Sequence, residues 1–300
     1  MPAVQHKQKI NNMKKVIVVL ILIICSISFY GQGLNLSLIK KNIVFLGTIE
    51  NNNPTIFATA FLLEIDGITH LLTAKHVVAK QVNGILTNEV DDSKLIAFLH
   101  DKKGSIIQRP VSEAKKMGAQ WIFHDDSQVD IAIIPFPIDV KSDDIAAIPK
   151  NLFLPVEDLH ETYDVIFISF QNQISQRNNL LPIFRDGMIS IKNKDNTFYI
   201  DGSAFPGNSG SPVFLKPSLV RYNKEGGTTT TLGGDPLGGK FIGIVGEYET
   251  YQEVAISSQT KRPRIIFEEN TGLTKIWTIN YINEIINSDR FKKQIIKLKK

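Results

Sequence analysis

Ser203-Ala204-Phe205-Pro206-Gly207-Asn208-Ser209-Gly210-Ser211-Pro212-Val213-Phe214 is the stretch on which the reading of this 300-residue chain turns. Gly207 and Gly210 stand on either side of Ser209, so the backbone can turn sharply there and bring amide N–H groups close to whatever the hydroxyl touches. Past Pro212 the residues become apolar at once, the pattern of a loop feeding a buried strand. A hydroxyl on a glycine turn at a strand end is a candidate nucleophile, and an ordinary Gly/Asn/Ser loop has the same composition. The assignment therefore depends on finding a base and an orienting acid elsewhere in the chain.

Outward from that stretch the apolar segments are short and bounded by turns. They comprise 43–49, 56–65, 68–74, 95–99, 131–136, 165–170, 188–191, 198–200, 213–215, 241–246 and 264–267. Most are β-branched or aromatic runs separated by Asn, Gly, Asp and Pro, which predicts an all-β chain. Asp66-Gly67 between two such runs marks a hairpin. Residues 141–161, with Pro149 and Pro155 and few strand signals, read as a linker between two β units, 34–140 and 162–268. Residues 216–240, rich in Gly and Thr, read as a flexible hairpin insertion. From Thr274 the period changes to that of a helix, with Ile276, Ile279, Ile282, Ile285 and Ile286 on one face. Ser288-Asp289 ends one helix and caps the next, so 269–300 is a C-terminal helical segment.

Residues 1–31 read as a secretory signal segment: Met13-Lys14-Lys15, an apolar run from Val16 to Cys25, then small polar residues. The run is short for a membrane span, although an uncleaved anchor stays open, as does lipid attachment at Cys25, which bulky Ile24 disfavours. Of the 34 basic residues against 30 acidic ones, four lysines and no acid lie in this segment. The rest of the chain is charge-balanced, which gives no sign of a nucleic-acid partner. Cys25 is the only cysteine, so no disulfide can form within the exported chain, and stable membrane insertion is not expected once the segment is removed.

The base is sought among six histidines. His76 follows the apolar run ending in Leu71-Leu72-Thr73-Ala74, where a loop can present its ring, whereas His70 stands two residues before the core of that strand and reads equally as a surface residue. The acid is sought at the start of a buried strand, where an aspartate is desolvated and can hold a histidine ring. Val129-Asp130-Ile131-Ala132 offers that, and a local turn role for Asp130 is the plainer alternative. No His-Glu-x-x-His pair or Cys/His cluster exists, so no metal or other cofactor is expected. No histidine follows His160, which excludes the chain order of α/β-hydrolases.

Thr73-Ala74-Lys75-His76, Asp130-Ile131-Ala132 and Gly207-Asn208-Ser209-Gly210-Ser211-Pro212 resemble, in this order, the three motifs of chymotrypsin-like (trypsin-like) serine proteases. The resemblance extends over roughly residues 40–268 and implies two packed antiparallel β-barrels. It implies the triad His76, Asp130 and Ser209, an oxyanion hole from the Gly207 and Ser209 N–H groups, and a polypeptide substrate. It puts Ser203 at the base of the primary pocket, with Gly246, Glu247 and Tyr248 along its wall and the loop from Glu247 to Arg264 as a further wall. Uncharged Ser203 speaks against a demand for Lys or Arg. Neither the Ile-Val-Gly-Gly-type terminus nor its partner aspartate of zymogen-derived relatives is present, Asn208 standing in that place. The site is therefore expected to form without activating cleavage, and no stretch is left for the trailing peptide-binding domain of Deg-type proteases. The expected function is a secreted or periplasmic serine endopeptidase. The competing reading is a protease-fold envelope protein that binds peptides without cutting them, favoured by Lys75 beside the histidine and by the unusual pocket.

Overall fold

The computed structural model describes residues 35–82, 85–88, 93–222, 227–230 and 235–299. The expected signal segment, with Cys25, lies outside them. The described chain is mostly antiparallel β-structure followed by two helices, Ile279–Asn287 and Asp289–Leu298. Its first half contains β1 (Ile43–Glu50), β2 (Asn53–Ile65), β3 (Ile68–Thr73), β4 (Ala79–Val82), β5 (Ile85–Asn88), β6 (Ile96–His100), β7 (Ile106–Pro110), β8 (Ile122–Phe123), β9 (Ala132–Pro135) and β10 (Ile148–Pro149). The main sheet runs in the order β7-β6-β1-β2-β3-β9-β8, with β10 added to β2 in parallel, while β4 and β5 pair as a separate hairpin. The β2–β3 turn is Asp66-Gly67 at positive φ (52° and 77°), the geometry that this dipeptide favours.

The second half contains β11 (Asp164–Ser169), β12 (Ile183–Lys192), β13 (Thr197–Asp201), β14 (Pro212–Leu215), β15 (Val220–Tyr222), β16 (Thr228–Thr230), β17 (Phe241–Ile256) and β18 (Pro263–Thr278). Six of these close a barrel in the order β11-β12-β13-β18-β17-β14. Residues 218–236 belong to a unit separate from the one that carries both sheets. In it β15 pairs with β16, and Arg221 forms an almost fully buried ion pair with Asp235.

Burial explains why so many strands read as unbroken apolar runs. Along β2, Ala58, Ala60 and Leu62 face one apolar cluster with Val44, Leu71 and Ile134, whereas Phe61, Leu63 and Ile65 face another. Along β11, Val165 and Phe167 fill the barrel with Phe198, Val213 and Val245, whereas Ile166 and Ile168 join the cluster of Phe61. Each of these two strands thus buries both faces, one inside its own sheet and the other in a core that the two sheets share. Phe45 packs edge-on against Phe170, and Phe61 against Phe241, both at 5.2 Å between centroids.

One boundary differs from the sequence reading. Strand β18 continues through Ile276 to Thr278, because Leu273–Thr278 pairs with β13 on one side and β17 on the other, so the helical segment begins at Ile279. Its Ile279, Ile282, Ile285 and Ile286 close the shared core, and Ser288 caps the next helix by accepting from the Phe291 N–H. Residues 141–161 are anchored along their length. Asp143 pairs with Arg109, β10 sits on β2, and the Leu154 N–H donates to the Phe241 carbonyl.

Candidate active site

His76 sits in the one-turn helix Lys75–Val78 that follows β3 directly, and the preceding Ala74 offers no side chain to cap its N–H groups. Asp130 supplies the missing acceptor from another loop. Its Oδ1 accepts from the His76 backbone N–H at 2.8 Å, and its Oδ2 lies 2.6 Å from His76 Nδ1. One carboxylate therefore fixes both the backbone and the ring of His76, and it specifies the tautomer that carries hydrogen on Nδ1. Asp130 is itself held by its neighbours Val129 and Ile131, which are buried. The loop before it is tied at several points. Gln128 N–H donates to Asp126 Oδ1, Lys75 Nζ donates to the Ser127 carbonyl at 2.6 Å, and Asp126 N–H donates to His124 Nδ1. His124 Nε2 in turn meets Glu284 of the C-terminal helix at 2.7 Å. The Lys75 ammonium is pushed down from its ordinary pKa by burial, which the charges of Asp130 and Asp126 partly offset.

The Ser209 loop is held by β2. Thr59 donates its N–H to the Ser209 carbonyl (3.2 Å) and its Oγ1 to the Gly207 carbonyl (2.7 Å), and the same Oγ1 accepts from the Phe170 N–H (2.8 Å). Gly210 adopts φ +82°, and a Cβ there would lie 2.3 Å from the Thr59 carbonyl oxygen, so only glycine fits. Asn208 is fully buried. It donates from Nδ2 to the Phe170 carbonyl and accepts at Oδ1 from the Phe205 N–H, a neutral clasp that sets the loop from within the chain. Gly207 has φ +96°, and among the described residues neither its N–H nor that of Ser209 donates to a backbone carbonyl.

His76, Asp130 and Ser209 line one cleft of about 730 Å³, together with Gln128, Asp195, Gly246, Glu247, Tyr248, Lys275 and Trp277. The β17–β18 register shifts between Val245 and Tyr248, and this bulge turns Gly246 and Glu247 toward the cleft. Gly246 also makes room for Trp277, whose Nε1 would lie 2.6 Å from a Cβ at position 246. Lys275 lies over the Trp277 ring (4.6 Å) and 3.8 Å from Glu247. Burial pushes the Asp195 carboxyl up, but hydrogen bonds from Thr197 and the charge of Lys275 outweigh it, and the net shift is downward. Among the described residues no group of His, Cys, Asp and Glu has the arrangement of a metal site.

The structure separates Ser203 from the other expected pocket residues. Ser203 is exposed and lines a different depression, with Arg185 and Phe205. The cause is the alternation of side chains: Gly202 and Ala204 are buried and bonded to β18, through Gly272 and Thr274, which sends the intervening side chain outward. The expected wall from Glu247 to Arg264 is likewise not a loop. It is strand on both arms, joined by a short turn. Asp195, Lys275 and Trp277 carried no motif. Thr59 left a faint signal, a lone threonine within the apolar run 56–65.

The family model of the trypsin-like peptidase domain matches residues 58–218, more than half of the chain. The chain belongs to the trypsin-like peptidase family. The matched stretch of this trypsin-like peptidase domain includes Thr59, His76, Asp130 and Ser209. No curated protein matches the sequence. Among solved structures the trypsin-like peptidase domain is similar to the serine endoprotease from Yersinia pestis, with 17% identity and a TM-score of 0.46 over 86% of this chain. The match spans 64% of that protein's chain.

Proposed function

We infer that this trypsin-like peptidase domain is a serine endopeptidase that hydrolyses polypeptides through an acyl-enzyme, without a cofactor. The observation that carries the reading is the two-point hold of Asp130 on His76 at the rim of the cleft that Ser209 also lines. With hydrogen on Nδ1, the ring keeps Nε2 as the base. Ser209 Oγ attacks the substrate carbonyl carbon as Nε2 takes its proton, and Asp130 stabilises the imidazolium that results. The carbonyl oxygen, now anionic, accepts from the Gly207 and Ser209 N–H groups. Collapse breaks the C–N bond, and His76 returns the proton to the departing amine. Water then attacks the ester with its proton taken by His76, which releases the acid and restores the serine hydroxyl.

Gly246, Glu247 and Tyr248 are the substrate contacts on this reading, and residues 1–31 direct the chain out of the cytoplasm. The neutral Asn208 clasp fits a protease that needs no activating cleavage. The test is labelling by a fluorophosphonate probe. Wild type should label, while Ser209→Ala and His76→Ala should not, and a wild type that stays unlabelled would favour peptide binding without turnover. Intact-mass measurement of the exported protein tests whether residues 1–31 are removed.

A further inference from the structure

Strands β17 and β18 are each 16 residues long, far longer than the barrel uses. The barrel neighbours β14 and β13 pair with them only at Phe241–Ile244 and Leu273–Trp277. From Thr250 to Ile256 and from Pro263 to Asn270 the two strands pair with each other and with no other described strand. This projecting ribbon carries Tyr251, Val254, Ile256, Ile265, Ile266 and Phe267, each 46–63% exposed. Partners across a ladder share a face, so Val254 and Ile266 stand on one side and Phe267 and Ile265 on the other. An isolated two-stranded ribbon is marginal in water, and apolar side chains on both of its faces call for a partner.

The covalent path of the ribbon identifies that partner. Gly246, Glu247 and Tyr248, which line the cleft with Ser209, belong to β17 itself, and the ribbon is the uninterrupted continuation of that strand. At about 3.3 Å per residue, 249–256 carry an unpaired strand edge roughly 25 Å outward from the cleft. A chain lying extended in the cleft beside Tyr248 meets this edge next. We propose that the ribbon is a docking strip for an extended, apolar stretch of the polypeptide substrate, adding it as a further strand and covering the exposed side chains. The inference rests on the peptidase reading and names its substrate class: unfolded or locally extended chains rich in apolar residues, as opposed to short peptides or compact folded proteins.

The test uses the full chain with Ile266→Ser and Phe267→Ser combined, two exposed positions outside the core. The probes are a reduced, carboxymethylated protein as the extended substrate and a fluorophosphonate as the small reagent. The variant should hydrolyse the unfolded protein with kcat/KM lowered about tenfold or more while labelling at the wild-type rate. In a Ser209→Ala background, binding of the same unfolded protein, read by fluorescence anisotropy, should weaken to a similar degree and persist in high salt, because the anchors are apolar. Unchanged cleavage and binding would overturn the proposal. So would an equal loss of labelling, which would make the ribbon a support of the site, or conversion of a wild-type oligomer to monomers, which would make the occupant a second copy of this chain. If wild type neither labels nor cleaves, the peptidase reading fails on its own, and the anisotropy comparison still decides the ribbon.

Discussion

The hydroxyl of Thr59 donates to the carbonyl oxygen of Gly207, 148 positions further along the chain, at 2.7 Å. Because that carbonyl points into Thr59, the peptide that follows it is fixed, and with it the direction of the N–H groups around Ser209. Thr59→Val preserves the shape of the side chain but leaves the Gly207 carbonyl and the Phe170 N–H without their partner. A loss of about 2 kcal/mol in stability is expected from denaturant unfolding. Labelling of Ser209 should slow as well, and Thr59→Ser, which keeps the hydroxyl, should restore both.

Gly210→Ala should be more severe. The added methyl would sit 2.3 Å from the Thr59 carbonyl and 2.4 Å from Thr73 Oγ1, at a backbone angle that side chains rarely adopt. Together, strain and overpacking should cost about 2–4 kcal/mol, seen as a lower midpoint in denaturant, with loss of Ser209 labelling.

Lys75 tethers the His76 helix to the loop of Asp130 through Ser127 and places a positive charge near the His76–Asp130 pair. Lys75→Met removes that tether, so labelling of Ser209 should slow severalfold with little change in the denaturant midpoint. Lys75→Arg, which keeps a donor for the Ser127 carbonyl, should label near the wild-type rate.

His70 is fully buried against Phe291 of the last helix, 5.1 Å between ring centroids. Its Nδ1 donates to the Ile68 carbonyl, and its Nε2 has no hydrogen-bond partner among the described residues. Burial lowers its pKa to about 4. The folded state keeps the ring neutral while the unfolded chain protonates below about 6.5, so stability should be intact above pH 6.5 and fall as pH drops toward 4. The loss attributable to this group is on the order of 3 kcal/mol. His70→Phe should flatten the stability curve across that window, as measured by denaturant midpoints at each pH.

Much of this organisation is legible from the residues alone. Runs such as Val165–Phe170 announce strands because both of their faces are buried, Asp66-Gly67 announces its hairpin, and Ser288 announces the break between the last two helices. His76, Asp130 and Ser209 stand out because each sits where a strand meets a loop. What escaped notice depends on partners far away in sequence. Thr59 looks like one polar residue in an apolar run until the Ser209 loop arrives beside it. Tyr248-Glu249-Thr250-Tyr251-Gln252-Glu253 reads as a loop because neither face of the projecting ribbon is covered, so no alternation is imposed on it. Ser203 was placed by analogy, and the local alternation of Gly202, Ser203 and Ala204 turns it away.

The core that the two sheets share has a consequence for the life history of the chain. A partly made or half-unfolded molecule has Ser209 in its sequence, but until β2 docks beside Phe170 and Phe241 it has neither Thr59 behind the loop nor His76 within reach. On the peptidase reading, reactivity is thus a late product of folding, because the site exists only once the shared core does.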